Sequence, residues 1–323
     1  MTSQKTEEKV LISDFFKGKH VFITGGTGSF GHTIVRELLN FAVSTVTVYS
    51  RDEEKQLDME REFSDPRLDF VIGDVRDYDR LREMIRPKTD ILYHAAALKV
   101  IPACEKHPSE AIKTNLLGSV NVRKACLEKT VSKALLISTD KAVKPVNTYG
   151  MTKALAEKVW ISDPKALSTL FSVVRYGNVV GSRGSVVPYF QNLISMSKPL
   201  PITDRRMSRF LITLKQAINL VFKATVTMVG GEIFVPKIPA CKVTDLAEAM
   251  CGKDYPLRIT GIRPGEKIAE VLISEEEIRR TKDLEGLYII EPHGVTKTQG
   301  LLEEYTSDNT SQLSVEEIKE LIA

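Results

Sequence analysis

The segment running from residue 20 to residue 31, HVFITGGTGSFG, constrains this chain more than any other, because strand-forming residues break there into glycines at positions 25, 28 and 31. A strand that empties into such a turn sets backbone N–H groups at the start of a helix, here read as Ser29 to Leu39. Orphan donors and the helix dipole at that point favour an anionic pyrophosphate. Gly25 permits the turn, Gly28 the close approach of phosphate and Gly31 the packing of helix on strand, with Thr27, Ser29 and Phe30 in the same cradle. Three glycines alone also suit an ordinary structural turn, so the assignment needs the rest of the chain.

The following segments alternate in type. TVTVYS, ending at Ser50, is rich in β-branched residues and reads as a second strand. Where such a strand ends, a dinucleotide fold selects its cofactor. An acidic side chain binds the ribose 2′-hydroxyl of NAD, whereas the hydroxyl of Ser50 and the guanidinium of Arg51 suit the 2′-phosphate of NADP. NADP is therefore expected, although Asp52 lies one residue away and Arg51 also suits a plain surface position. A helix over Glu53 to Phe63 leads to LDFVIGDV, a third strand ending in Asp74 and Val75, where folds of this kind meet the adenine. DILYHAAA is the fourth strand; the small Ala95, Ala96 and Ala97 at its carboxyl end leave room for a ligand or for close helix packing. A helix near residues 108–128 and the strand KALLIST follow. Alternation through residue 176 predicts an α/β fold of Rossmann type, a doubly wound parallel sheet whose right-handed crossovers gather the strands' carboxyl ends along one edge. A smaller C-terminal α/β lobe is expected to close over the cleft, giving a dinucleotide domain over 1–185 and a substrate lobe over 186–323.

Charge and composition exclude several classes. A chain of 323 residues with 42% hydrophobic content can fill a large core, and a net charge of +3 with interspersed signs gives no electrostatic case for nucleic acid. MTSQKTEEKVLISDFF lacks the apolar centre of a secretory signal, and no run of about 18 apolar residues occurs, so a cytoplasmic protein with no membrane association is expected. Cys104, Cys126, Cys241 and Cys251 form neither a C-x-x-C pair nor a cluster with histidine, which implies free thiols and no metal. After about Pro292 the chain turns polar enough to suggest a loosely packed extension, with SVEEIKELIA as a terminal helix opened by a serine cap.

The fifth strand ends in Ser138, Thr139, Asp140 and Lys141, and the chain then reads Tyr149-Gly-Met-Thr-Lys153. Tyr149 and Lys153 stand four apart at the head of a helix running to about Val159, so both project from one face. An ammonium near a phenol favours the phenolate, and an oxidised nicotinamide adds positive charge, so the tyrosine becomes a base near neutral pH.

With these residues in place the chain resembles an extended short-chain dehydrogenase/reductase. Within that superfamily it is similar to the inverting UDP-N-acetylglucosamine 4,6-dehydratases that open pseudaminic acid synthesis. The resemblance spans roughly residues 18–292 and rests on TGGTGSFG, VYSRDE, GDVRD, HAAALK, STDKA, YGMTK, VRYGNVVGSRGSV, MSRF, GGEIFVPK and GIRPGEK; the polar tail lies outside it. It implies that hydride leaves C4 of the sugar for NADP while Tyr149 takes the hydroxyl proton and Thr139 holds the oxygen. The 4-ketone acidifies C5, a base removes that proton, water departs from C6 and the hydride returns to C6. UDP-2-acetamido-2,6-dideoxy-β-L-arabino-hex-4-ulose is the implied product.

Asp140 and Lys141 are the natural pair for the elimination, the carboxylic acid protonating the departing hydroxyl and Lys141 acting as C5 base if desolvation and nearby cations keep it neutral. Dehydratases that retain configuration carry glutamate after the aspartate. A solvent-exposed pair at a strand end is the plainer reading. The resemblance further implies that Asn178 and Lys99 meet the nucleotide sugar, that Arg209 and Arg263 fork onto its diphosphate, and that Glu266 takes a hydroxyl of the uridine ribose. Internal salt bridges are the alternative reading for the last three. A homo-oligomer, dimer or hexamer, is implied too. A retaining dehydratase or a sugar 4-epimerase would share the dinucleotide site with Tyr149 and Lys153, though an epimerase needs no acid to expel water. A non-catalytic NADP-binding sensor is the alternative from a different class.

Overall fold

Six short segments, each dominated by apolar or β-branched residues, make the parallel centre of the molecule, whose computed structural model describes residues 10–162, 168–182, 184–292 and 301–322. They are β1 (His20–Thr24), β2 (Thr45–Ser50), β3 (Leu68–Ile72), β4 (Ile91–His94), β5 (Lys133–Ile137) and β6 (Leu170–Val174). They pair in the order β3-β2-β1-β4-β5-β6, all parallel. Central strands of such a sheet are covered on both faces, and all four residues of β4 are accordingly buried. The covering helices are α1 (Ser29–Leu39), α2 (Glu53–Phe63), α3 (Tyr78–Met84), α4 (Ile101–Lys106), α5 (Gly118–Glu128) and α6 (Thr148–Trp160). Helix α1 turns Ile34, Val35 and Leu38 into the core. Strand β1 has β2 on one side and β4 on the other, so the order reverses there and opens a crevice beyond the carboxyl ends.

One continuous helix was expected near residues 108–128, but the structure interrupts it. A short helical turn at Pro108–Ala111 runs into a wide π turn over Ile112–Leu117 before α5 begins. The extra residue in that turn swings Asn115 inward, where its side chain accepts from Leu98 N at 2.8 Å and donates to Leu98 O at 2.9 Å and Thr152 Oγ1 at 3.0 Å. A Cβ on Gly118 would lie 2.7 Å from Val75 Cγ2, so glycine lets the next turn approach the β3 side.

Beyond β6 the chain builds β7 (Asn178–Val179), α7 (Val186–Ser195), β8 (Leu200–Ile202), β9 (Ser208–Ile212) and α8 (Leu214–Thr227). It continues with β10 (Ile233–Pro236), β11 (Ala240–Lys242), α9 (Val243–Cys251), β12 (Leu257–Ile259), β13 (Val271–Ile273), β14 (Thr281–Leu284) and β15 (Leu287–Ile290). Strand β10 joins β6 in parallel, and β15 and β14 follow antiparallel, extending the main sheet to nine strands. The sheet thus crosses the boundary expected at 185/186. Phe222 of α8 also packs edge-on against Phe16 and Phe41 of the first half, so one apolar core serves both. Three small sheets, β11-β9-β7, β12-β8 and β13 with a last strand β16 (Tyr305–Thr306), make the remainder.

Residues 301–322 are packed, contrary to the loose extension expected. Strand β16 pairs antiparallel with β13, the Tyr305 ring contacts Phe210 and Tyr288, and Ile318 of the terminal helix α10 (Val315–Ile322) is fully buried. Ser314 opens that helix as expected: its Oγ accepts from Glu317 N at 3.2 Å while the Glu317 carboxylate accepts from Ser314 N at 2.8 Å. The part of the tail over 293–300 lies outside the described residues. Among the described residues no helix is long and apolar enough to cross a membrane.

Candidate active site

The glycine turn fits a dinucleotide on steric grounds. Gly25 has φ +69°, and a Cβ there would lie 2.7 Å from the Ala96 backbone; on Gly31 it would lie 2.4 Å from the Gly26 backbone. Backbone therefore lies against backbone where β1 passes into α1. Gly28 caps α1 with no side-chain acceptor, so an anion can serve the first-turn N–H groups. Gly25, Thr27, Gly28, Ser29, Phe30 and Gly31 line one end of a cleft of about 1720 Å³, whose wall continues through Ser50, Arg51, Asp74, Val75, Ala95 and Ala96.

At the end of β2, Arg51 and Asp52 have different partners. The Asp52 carboxylate caps α2, accepting from Lys55 N at 3.1 Å and pairing with the Lys55 ammonium. Arg51 is half-exposed on the cleft wall, its Nη1 3.4 Å from Asp74 Oδ2. Asp74 is itself forked by Arg76, and together these cations hold its carboxyl below the usual range.

Two segments meet at the other end of the cleft. After β5, Thr139 opens a single helical turn over Asp140–Ala142, its Oγ1 accepting from Lys141 N at 3.4 Å and donating to Asp140 Oδ1 at 2.9 Å. Helix α6 starts at the Asn147 cap, whose Oδ1 accepts from Gly150 N at 2.8 Å. Gly150 has to be small: a Cβ would lie 2.2 Å from Lys141 O, so α6 rests directly on the Asp140 turn. This contact brings Tyr149 and Lys153 beside Thr139 and Lys141. Lys153 is buried, donates to Ile137 O at 2.6 Å and has its pKa drawn down to about 8 by desolvation. Burial pushes the Tyr149 phenol up to about 12, against the pull of Lys141 and of a hydrogen bond with Thr139. The cation acting most on the phenol is thus Lys141, where the four-residue spacing had pointed to Lys153.

Asp140 and Lys141 are not a solvent-exposed pair. Asp140 is fully buried behind the cleft wall, while Lys141 reaches the wall itself. Lys141 Nζ lies 3.0 Å from Asp140 Oδ1, 3.1 Å from Asn178 Oδ1 and 3.4 Å from Glu270 Oε1. The sequence pointed to desolvation and nearby cations as the influences on Lys141; in the structure two carboxylates face it as well, and they outweigh desolvation and raise its pKa. Burial and the Glu270 charge raise the Asp140 pKa as well. Glu270 had no local signal in the sequence, since Lys141 and Arg209 reach it only through the fold.

The remaining expected contacts divide. Lys99 lines the cleft, its pKa lowered by desolvation, and Asn178 lines it while accepting from Lys141. Arg209 lines it but turns its guanidinium into the protein rather than forking outward. Its Nη1 donates to the carbonyls of Ser208 at 2.6 Å and Ile268 at 3.1 Å, its Nη2 to that of Lys267 at 3.0 Å, and its Nε stands 3.7 Å from Glu270. These three carbonyls, with the buried Glu270 charge behind them, hold the guanidinium inward. Arg263 and Glu266 both line the cleft and are paired with each other, the guanidinium being mostly exposed.

The chain matches known proteins over most of its length. The family model described as polysaccharide biosynthesis protein matches residues 21–292, and that described as polysaccharide biosynthesis protein C-terminal matches 292–323, so the tail is covered too. Over 282 residues the chain is 48% identical to an inverting UDP-N-acetylglucosamine 4,6-dehydratase of Campylobacter jejuni, covering 86% of this chain and 84% of that protein. It is 43% identical to a UDP-glucose 4-epimerase of Rickettsia akari, covering 95% and 96%. The solved structure of Pen from Bacillus thuringiensis matches with a TM-score of 0.89 at 37% identity, covering 95% of this chain and 98% of that one.

Proposed function

The chain belongs to the polysaccharide biosynthesis protein family, and from that premise we propose that it is a UDP-N-acetylglucosamine 4,6-dehydratase inverting C5, a hydro-lyase using bound NADP. Its product on this reading is UDP-2-acetamido-2,6-dideoxy-β-L-arabino-hex-4-ulose, a precursor for pseudaminic acid synthesis. The observation that carries the reading is the 3.0 Å Asp140–Lys141 contact, out of bulk water and next to Tyr149. The enzyme is read as cytoplasmic and homo-oligomeric, a dimer or hexamer.

Gly25, Gly28 and Gly31 hold the pyrophosphate and Arg51 with Ser50 the 2′-phosphate; when bound, the cofactor supplies reversible hydride transfer. Tyr149 takes the proton of the C4 hydroxyl, with Thr139 Oγ1 holding that oxygen and the charges of Lys141 and Lys153 favouring the phenolate. One proton then matters most. Its passage from Lys141 Nζ to Asp140 Oδ1 turns an ion pair into an amine and a carboxylic acid without changing net charge, and burial favours the neutral form. The amine removes the C5 proton, and the acid, buried behind the wall, passes its proton to the departing C6 hydroxyl through Thr139 Oγ1, which lies 2.9 Å from Asp140 Oδ1 and lines the cleft. After exchange with solvent, the Lys141 ammonium delivers a proton to the opposite face of C5. Lys99, Asn178, Arg263 and Glu266 hold the nucleotide sugar, Arg263 releasing Glu266 as it takes the diphosphate.

A match at 43% identity, covering 95% of the chain, to a named 4-epimerase keeps a second reading in view. An epimerase uses Tyr149, Lys153 and the cofactor but has no task for a protonated Asp140. Incubation with UDP-N-acetylglucosamine in heavy water, followed by NMR at C5 and C6, separates the two. A 6-deoxy product of L configuration with deuterium at C5 is expected; a product that keeps its C6 hydroxyl overturns the proposal, and a D product makes it a retaining enzyme. Lys141→Ala should abolish turnover while NADP binding persists, measured by cofactor titration. Undiminished turnover would move the C5 base elsewhere.

A further inference from the structure

Lys141 is enclosed by two carboxylates of different character. Asp140 shares its helical turn, is fully buried and has its pKa raised by burial and by the second carboxylate. That second group, Glu270, comes from the chain just before β13, is 3% exposed and does not line the cleft. Three cations face it: Lys141 at 3.4 Å, Lys267 at 3.3 Å and Arg209 at 3.7 Å. They hold its carboxyl ionised down to about pH 2. One carboxylate is therefore a fixed charge, and the other can accept a proton.

The C-terminal segment sets where the fixed charge stands. Ser307, fully buried next to β16, accepts from Glu270 N through Oγ at 2.9 Å and donates its own N–H to Glu270 O at 2.9 Å. The same Oγ lies 2.7 Å from Ser208 Oγ, one residue before Arg209. A serine in a segment whose polar sequence suggests a loose extension thus grips the chain at both Glu270 and Ser208, the neighbour of Arg209.

Building on the dehydratase reading, we propose that Glu270, clamped by Ser307, is the positioning residue that keeps one proton on the Asp140–Lys141 pair during water loss. Four ionisable groups act on Lys141 or its partner: Asp140, Glu270, Arg209 and Tyr149, with Lys267 facing Glu270. Arg209 opposes Glu270 in its effect on Lys141. With Glu270 neutralised, the pair gives up its last proton at lower pH. Asp140 is then ionised, and the departing hydroxyl has no acid.

Glu270→Gln keeps the shape and removes the charge. Two pH profiles test it: C6 water loss from UDP-N-acetylglucosamine, and cofactor reduction by UDP-6-deoxy-N-acetylglucosamine, which can lose hydride at C4 but has no C6 hydroxyl. The alkaline limb of water loss is expected to move to lower pH by at least one unit while that of cofactor reduction stays, and Glu270→Asp should restore part of the shift. An unmoved limb, or both limbs moving together, overturns the proposal. If the unmutated protein expels no C6 hydroxyl, the dehydratase reading fails and takes this proposal with it; if it does and the E270Q profile is unmoved, only this proposal fails. Should E270Q not fold, Ser307→Ala retains the carboxylate and should slow water loss at least five-fold with cofactor reduction changed less than two-fold. Equal slowing of both again overturns it.

Discussion

Lys153 is a buried amine whose Nζ donates to one main-chain carbonyl, and desolvation draws its pKa to about 8. The unfolded chain holds that proton more tightly, so between about pH 8 and pH 10.5 the unfolded state binds more protons and folding gains stability as pH rises. Relative to Lys153→Met, the unmutated protein should gain up to roughly 3 kcal/mol between pH 7 and pH 10 in urea unfolding. A constant difference would mean that position 153 titrates as an ordinary lysine. Much of this site was legible in the sequence: the Tyr149–Lys153 spacing after β5 put both on one helix face, and the three glycines marked the cradle. The charge state of Lys141 was not, because Glu270 and Arg209 are its neighbours only in space. Gly150 hid for a similar reason, since its small size answers to the Lys141 carbonyl on another segment.

Among the elements, the regular ones followed local pattern: α1, β2 and α2 have the bounds their residues imply, since apolar periodicity and the Asp52 cap act within a few positions. The π turn at Ile112–Leu117 escaped because one extra residue leaves the composition of a helix unchanged. Strand β16 and the packing of α10, though not α10 itself, escaped because Tyr305, Ser307 and Ile318 are single buried residues in a polar run. Tyr305 is the measure of that tail. Its hydroxyl accepts from Ile238 N and donates to Ile238 O, each at 2.8 Å, and its ring packs on Phe210 and Tyr288. Tyr305→Ala should cost about 3 kcal/mol by calorimetry, from cavity and lost hydrogen bonds together. A loss below about 0.5 kcal/mol, the scale of a surface change, would show the tail to be loosely attached.

Across the whole molecule, the two halves are tied by a buried ionic triad as well as by the shared sheet. Arg175 follows β6 and joins Glu157 of α6 at 2.6 Å to Glu277 of the C-terminal half at 3.0 Å. The Arg175 guanidinium and neighbouring hydrogen bonds bring the Glu277 pKa to about 2. A depressed carboxylate contributes stability above its unfolded value, near pH 4.5, and loses it as pH falls through about 2. Glu277→Gln should therefore destabilise the protein by roughly 3 kcal/mol at pH 7, with the gap closing below pH 4, as followed by chemical unfolding at each pH. A gap independent of pH would assign the loss to packing alone.

The joining of β10 to β6 also has a bearing on biosynthesis. A nascent polypeptide that has emerged only as far as its first six strands presents the open edge of β6 to other chains, and stays so until residues 233–236 leave the ribosome. Until that strand arrives, the stability of the finished protein gives the open edge no protection.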